Sequence, residues 1–191
     1  MELFLFNISW MVFNLYLAAL PVVFAWFLFK MPNKFFTFIV GVLWLLYLPN
    51  TIYVFTDLHH LIEQWSMVDG GGKLILILQY TILEVVGLTC FLVALYPAEI
   101  ILSKINSLKS YQTYVLIAIN LFFGLLMSLG KFERVNSWDV FIDPQFFISS
   151  CFYFLQSFDL IGIGILFGLF ANFFYFLLRK KVKIYYDRWF I

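Results

Sequence analysis

Residues 74–96 read LILILQYTILEVVGLTCFLVALY, and this stretch decides the fold class because Glu84 is its only charged residue. An α-helix needs about 20 predominantly apolar residues to cross a hydrocarbon core of about 30 Å. Further apolar stretches of this kind occur on both sides of it. We therefore predict an all-α fold, a polytopic transmembrane helix bundle with about five spans, at residues 3–29, 35–56, 74–96, 111–130 and 160–178.

The composition of the whole chain favours a lipid environment. Hydrophobic residues make up 64% of the sequence and charged residues 12%, whereas soluble domains carry roughly 25% charged residues. A water-soluble domain of this size could not hide so much apolar surface. The formal net charge is +1, which gives no case for a nucleic-acid partner. The lipid bilayer is the predicted partner, and the lack of linkers and repeats predicts a single transmembrane domain over residues 1–191.

The last apolar stretch, residues 146–178, is too long for one upright helix. Gln156, Ser157 and Asp159 interrupt it. We therefore predict a short interfacial helix at residues 146–155, followed by the fifth span.

The positions of Lys and Arg predict the orientation, because positive residues are retained in the cytoplasm. The predicted spans divide the loops into two sets, and the basic residues are distributed unequally between the sets. One set holds Lys73, Lys131 and Arg134, and the other holds Lys30, Lys34, Lys104, Lys109, Arg179, Lys180, Lys181, Lys183 and Arg188. We predict a multi-pass protein of the cell membrane with its amino terminus outside and its carboxyl terminus in the cytoplasm.

Polar residues form a stripe along the second predicted span. Asn50, Tyr53, Asp57 and His60 fall within about 80° of one another on a continuous helix. Pro49 has no amide hydrogen, so the helix is expected to kink there and to free a carbonyl group. Asp57 and His60 could share a proton, orient each other or ligate a metal. The alternative is a hydrogen-bonded pair that locks the end of the helix.

Other spans also carry polar groups in their apolar segments. Glu84 lies about 15 Å deep in the third span, where a carboxylate must be protonated or paired. It is either part of a proton or cation relay or a hydrogen-bonded packing residue. Asn14 shares a face of the first span with Asn7, Ala18 and Pro21. The fourth and fifth spans each carry a face of small and amide residues, which favours close helix packing. These faces consist of Asn120, Gly124 and Ser128 and of Gly164, Gly168 and Asn172.

The loop at residues 130–144 reads GKFERVNSWDVFIDP and is rich in binding groups. Arg134, Asn136 and Asp139 lie in it. The predicted topology places this loop on the same outer side as Asp57 and His60. Two polar clusters distant in sequence thus meet at one face of the membrane, which predicts a binding pocket there.

Two segments together resemble the signatures of the bacterial membrane family known as domain of unknown function 1361. Asn14 with Pro21 in the first span also fits that family. The resemblance implies a bacterial multi-span membrane protein, and no activity comes with it. The first segment is Leu48-Pro49-Asn50, Tyr53, Thr56-Asp57 and His60-Leu61, and the second is Gly130, Phe132, Asn136-Ser137-Trp138-Asp139 and Pro144.

The first functional hypothesis is a binding or transport module with an outward-facing polar pocket for a cation or a lipid headgroup. Asp57 and Asp139 would supply negative charge, and amides would supply neutral donors and acceptors. The sequence leaves the metal, the cofactor and the substrate undetermined. The full predicted pocket consists of Asn50, Tyr53, Asp57, His60, Arg134, Asn136 and Asp139.

Two other hypotheses stay open. In a membrane-embedded enzyme acting on a lipid-linked or cell-envelope substrate, His60 would be the general base and Asp57 would orient it. Arg134 and Asn136 would then hold an oxyanion or a phosphate. No nucleophile motif supports this, and the run Gly70-Gly71-Gly72, predicted to lie in a loop, lacks the Lys-Ser/Thr ending of a phosphate loop. In the third hypothesis the polar face docks another membrane protein.

Overall fold

A computed structural model describes residues 2–136 and 138–189, and these residues form helices joined by short connections, without a β-strand. Ser137, part of the second family signature, lies outside the described residues. Short 3₁₀ segments at Val54–Asp57 and Trp65–Met67 separate some of the α-helices. The α-helices are α1 (Glu2–Lys30), α2 (Lys34–Tyr47), α3 (Pro49–Tyr53), α4 (Leu58–Gln64), α5 (Gly70–Lys104), α6 (Asn106–Lys109), α7 (Gln112–Phe132), α8 (Asp139–Ile142), α9 (Pro144–Gln156) and α10 (Phe158–Trp189).

Five helical segments of the described chain are long and apolar enough to cross a membrane. This confirms the predicted all-α class and the number of long apolar helices. The short helix predicted at residues 146–155 is α9, and its interfacial position stays a prediction. The five segments are Glu2–Lys30, Lys34–Met67, Gly70–Lys104, Gln112–Phe132 and Phe158–Tyr186.

The prediction that the run Gly70-Gly71-Gly72 lies in a loop is wrong. These glycines form the first turn of α5. The side chain of Asp69 accepts a hydrogen bond from the amide of Gly72 at 2.9 Å, which satisfies one of the free donors at the start of the helix. This N-cap lets α5 begin before the apolar stretch does.

The chain forms two compact units, Met1–Phe91 and Leu92–Ile191, and α5 contributes to both of them. Whether they act as the single domain predicted for residues 1–191 stays a prediction. The first unit contains α1 to α4 and the first part of α5. Its apolar core is built from Met11, Ala18, Val54, Leu76, Tyr80 and Leu83.

The second apolar segment is interrupted at Pro49, as predicted. α2 ends at Tyr47, and α3 begins at Pro49. Proline has no amide hydrogen to donate within the helix, and two side chains next to the break donate to backbone carbonyls. The Thr51 hydroxyl donates to the Leu48 carbonyl at 2.7 Å, and the Asn50 amide donates to the Tyr47 carbonyl at 3.2 Å.

The first unit brings α5 very close to the 3₁₀ segment that follows α3. A Cβ added to Gly87 would lie 2.8 Å from a side-chain methyl carbon of Val54, so only glycine fits without displacing its neighbour. This close approach places the middle of α5 against the segment that carries Asp57.

In the second unit, α7 and α10 pack through the small-residue faces predicted from the sequence. A Cβ at Gly124 would overlap the backbone of Gly164 and Gly168. Asn120 and Ser128, on the same face of α7, are fully buried. The Ser128 hydroxyl donates to the Leu160 carbonyl at 2.8 Å. This interface is close-packed along about three turns of both helices.

Candidate membrane-embedded polar site

Asp57 is the buried carboxylate at the centre of the candidate site. It is 3% exposed and ends the 3₁₀ segment Val54–Asp57. The side-chain amide of Asn14 on α1 donates to its Oδ2 atom at 2.7 Å. The structure thus brings together two residues that the sequence placed in different spans.

A second polar contact joins the same two segments about two helical turns away. Asn7 and Gln64 exchange amide hydrogen bonds of 2.7 and 3.0 Å. The Trp10 indole donates to Asn7 at 3.2 Å, and the Tyr80 hydroxyl lies 3.4 Å from the Gln64 carbonyl oxygen. These neutral groups are hydrogen-bonded to one another, so we assign this contact to helix packing.

The predicted site does not include Gln64, although the spacing of polar residues in the sequence indicates its partner. The spacing from Asp57 to Gln64 equals that from Asn7 to Asn14. In an antiparallel helix pair, equal spacings on the two helices bring the residues into register. The pattern becomes visible only once the partner of one residue is known.

Glu84 lies on α5 beside the fully buried Leu83. Within the described residues, neither of its buried carboxylate oxygens has a hydrogen-bond partner. Gly87, three residues further along α5, packs against Val54, which lies three residues before Asp57. The first unit thus holds two acidic side chains with buried oxygens, and those of Glu84 lack hydrogen bonds within the described residues.

The other residues of the predicted stripe have separate partners. Asn50 bonds to the backbone at the helix break. The carbonyl of Tyr53 accepts from the Thr56 hydroxyl at 2.7 Å. The Nδ1 atom of His60 lies 3.0 Å from a carboxylate oxygen of Glu63. The helix changes to 3₁₀ geometry within the predicted stripe, and whether these residues form one site stays a prediction.

The loop of the second unit carries its own compact polar cluster. The backbone amide of Asn136 donates to Asp139 at 2.6 Å, and its side-chain amide lies 3.4 Å from the same oxygen. Arg134 adopts a φ of 56° at the end of α7, a conformation that favours glycine. Asn136 and Asp139 thus meet within the loop, whereas a pocket shared with Asp57 stays a prediction.

Residues 13–174 match the family described as "Protein of unknown function (DUF1361)". The chain belongs to this family. The matched range contains both signature segments, so the resemblance seen in the sequence is confirmed. No curated protein and no solved structure matches the chain. Membership in DUF1361 carries no activity, and a function must be argued from the site itself.

Proposed function

We propose that this DUF1361 protein is a multi-pass membrane protein whose first unit binds a small inorganic cation inside the bundle, as a binding or transport module. The observation that carries the proposal is that two acidic residues of the first unit, Asp57 and Glu84, have buried carboxylate oxygens. A proton would compete with the cation for the same oxygens.

The charge of the site supports cation binding. A carboxylate in an apolar bundle is costly unless a positive group or several donors compensate it. Asn14 supplies one neutral donor to Asp57, and the oxygens of Glu84 receive none from the described residues. Two carboxylates in one apolar bundle repel each other when both are ionised, and a positive charge in the bundle relieves that repulsion. A bound cation or a proton supplies that charge.

The donor set narrows the choice of cation. The candidate ligands are carboxylate oxygens, which favour hard cations such as Na⁺, K⁺, Mg²⁺ and Ca²⁺. Asp57 also sits at the end of a 3₁₀ segment within an interrupted apolar helix. Interrupted membrane helices commonly build ion sites, because carbonyl groups leave the helical hydrogen-bond pattern there.

A larger, outward-facing pocket for a cation or lipid headgroup is part of the same proposal. In it, Asp139 of the loop at residues 130–144 would add a further acidic group. The additional residues of this pocket are Asn50, Tyr53, His60, Arg134, Asn136 and Asp139.

Thermal unfolding of the purified protein in detergent tests the cation site. Chlorides of the four hard cations are compared with choline chloride at constant ionic strength. We expect one of them to raise the melting temperature, because a ligand at about 100 times its Kd adds about 2.7 kcal/mol of stability. Asp57→Asn and Glu84→Gln should each abolish this rise.

Two further acidic residues serve as comparisons. Asp159→Asn removes an exposed carboxylate and should leave the rise unchanged. A loss in Asp139→Asn would support the larger pocket, and an unchanged rise would confine the site to the first unit. A rise that survives both Asp57→Asn and Glu84→Gln would contradict the proposal.

We also propose that the amino terminus lies outside the cell and the carboxyl terminus in the cytoplasm. The strongest support is the cluster of basic residues at positions 179–183, which α10 carries at its far end. Cysteines introduced at Glu2 and Arg188, after replacement of Cys90 and Cys151 by serine, report the two sides. An impermeant maleimide added to intact cells should label the first and spare the second, and the reverse pattern would overturn this orientation.

A further inference from the structure

The residues His59, His60 and Glu63 form a second cluster on α4, made of two imidazoles and one carboxylate. One potential ligand atom from each of them lies within 4.8 Å of the other two. We propose that this cluster binds a divalent transition metal, with zinc as the best fit. The ligands of this site differ from Asp57 and Glu84, and His60 is the one residue that it shares with the larger proposed pocket.

The spacing of the ligand atoms suits a small metal ion after a modest adjustment. Zinc lies about 2.0–2.1 Å from nitrogen and oxygen ligands in a tetrahedral site, so neighbouring ligand atoms are about 3.3 Å apart. His60 and Glu63 already approach to 3.0 Å. Their side chains are 38% and 61% exposed, so both can rotate to contract the cluster around an ion.

His59 is oriented in the manner of a metal ligand. Its Nδ1 atom lies 2.7 Å from the carbonyl oxygen of Thr56. A carbonyl can only accept, so Nδ1 carries the hydrogen and Nε2 presents its lone pair. Metal-bound histidines usually donate their second ring nitrogen to such a partner, which fixes the ring and raises its basicity.

Neighbouring aromatic groups also hold the second imidazole in place. The rings of His59 and His60 lie 3.7 Å apart between centroids. The indole of Trp10 meets His60 edge-on at 5.6 Å. Both imidazoles are thus held side by side at one end of α4, and the ring of His60 has a neighbour on another helix.

The donor set separates this site from the one at Asp57. Two histidines and one glutamate are a common zinc set, and a water or another ligand can take the fourth position. Hard cations prefer oxygen ligands alone. The two proposed sites should therefore differ in which metals they bind, as well as in position.

Metal titration of the full-length protein in detergent, stripped with a chelator, tests this site. Calorimetry with Zn²⁺ and visible absorption with Co²⁺ should both show saturable binding to the unaltered protein. His59→Gln, His60→Gln and Glu63→Gln should each weaken Zn²⁺ binding about 10-fold or more. Asp159→Asn, which removes an exposed carboxylate outside both sites, should bind Zn²⁺ as the unaltered protein does.

The melting temperature without metal checks the folding of each variant. The side chains of His60 and Glu63 are partly exposed, so these two variants should melt close to the unaltered protein. An absence of Zn²⁺ binding by the unaltered protein would overturn this proposal, as would binding that the three variants leave unchanged. If no hard cation stabilises the protein, the proposal at Asp57 fails but the zinc proposal does not, since the two tests use different metals and different variants.

Discussion

Two helix contacts, one in each unit, place polar side chains between apolar helices: α7 with α10 in the second unit, and α1 with the segment at Asp57 in the first. These two contacts differ in charge. In the second unit the Asn120 amide donates to Asn172 at 2.9 Å, and Asn172 donates to backbone carbonyls of its own helix and of α7. In the first unit the Asn14 amide donates to the carboxylate of Asp57, and the same unit holds the buried carboxylate oxygens of Glu84. The first interface therefore carries charge that packing alone does not require.

The difference in charge between the two contacts distinguishes residues that serve helix packing from residues that serve a function. Neutral amides and glycines let two helices approach closely at little cost in a membrane. Asn120 does leave one amide oxygen without a hydrogen bond within the described chain, but an unpaired neutral oxygen costs far less than an unpaired carboxylate. Acidic groups at such positions are expensive, so a ligand or a proton best accounts for them.

The largest effect is expected where the second unit is packed most closely. Gly124→Ala and Gly168→Ala would place a methyl group against backbone atoms of the facing helix, which cannot move aside as a side chain can. We expect each to cost more than about 3 kcal/mol or to prevent folding. Unfolding of the purified protein by heat or by added SDS measures the change.

Gly162 provides the matched control on α10. A Cβ there would have no neighbour within 4 Å among the described residues. Gly162→Ala should therefore leave stability unchanged or raise it by up to about 1 kcal/mol through helix propensity. Equal losses at Gly162 and Gly124 would contradict the packing described for α7 and α10.

A smaller effect should distinguish the charged contact from the neutral one. Asn14→Ala removes the donor to Asp57, and a hydrogen bond to a charged group contributes about 1.5–3 kcal/mol. Asn120→Ala removes a donor between neutral amides, where membrane proteins show about 0.6 kcal/mol on average. The unfolding free energies of the two variants, measured in the same detergent, give the comparison.

The same pair yields a stricter test as a double-mutant cycle. In the Asp57→Asn background, Asn14→Ala should cost less than in the unaltered protein, because the buried charge is gone. An identical cost in both backgrounds would show that Asn14 does not compensate the charge of Asp57.

The sequence predicted the faces of the helices well, because periodicity reports which residues share a side. Asn7, Ala18 and Pro21 are buried on one face of α1, and Gly124 meets Gly164 and Gly168. The interruption at Pro49 was also predictable, since proline lacks an amide hydrogen.

Partners across helices were harder to predict than faces. Nothing in the spacing of α1 indicates that Asn14 meets Asp57, because the register between two helices depends on their packing. The contact between His60 and Glu63 lies within one helix at a spacing of three residues. The stripe on the second span predicted Asp57 as the partner of His60 instead. The extra length of α5 and α10 was missed as well, since hydropathy reports the apolar core and not the helix ends.

The most direct test of the central claim is equilibrium binding of radioactive Na⁺, K⁺ or Ca²⁺ to the protein in detergent, with magnesium as an unlabelled competitor. Saturable binding of one of these ions, or its displacement by magnesium, is predicted for the unaltered protein. Binding should be lost in Asp57→Asn and in Glu84→Gln and retained in Asp159→Asn. Binding of equal strength in Asp57→Asn, or no saturable binding of any of the four ions, would contradict the assignment of these two acidic residues to a cation site.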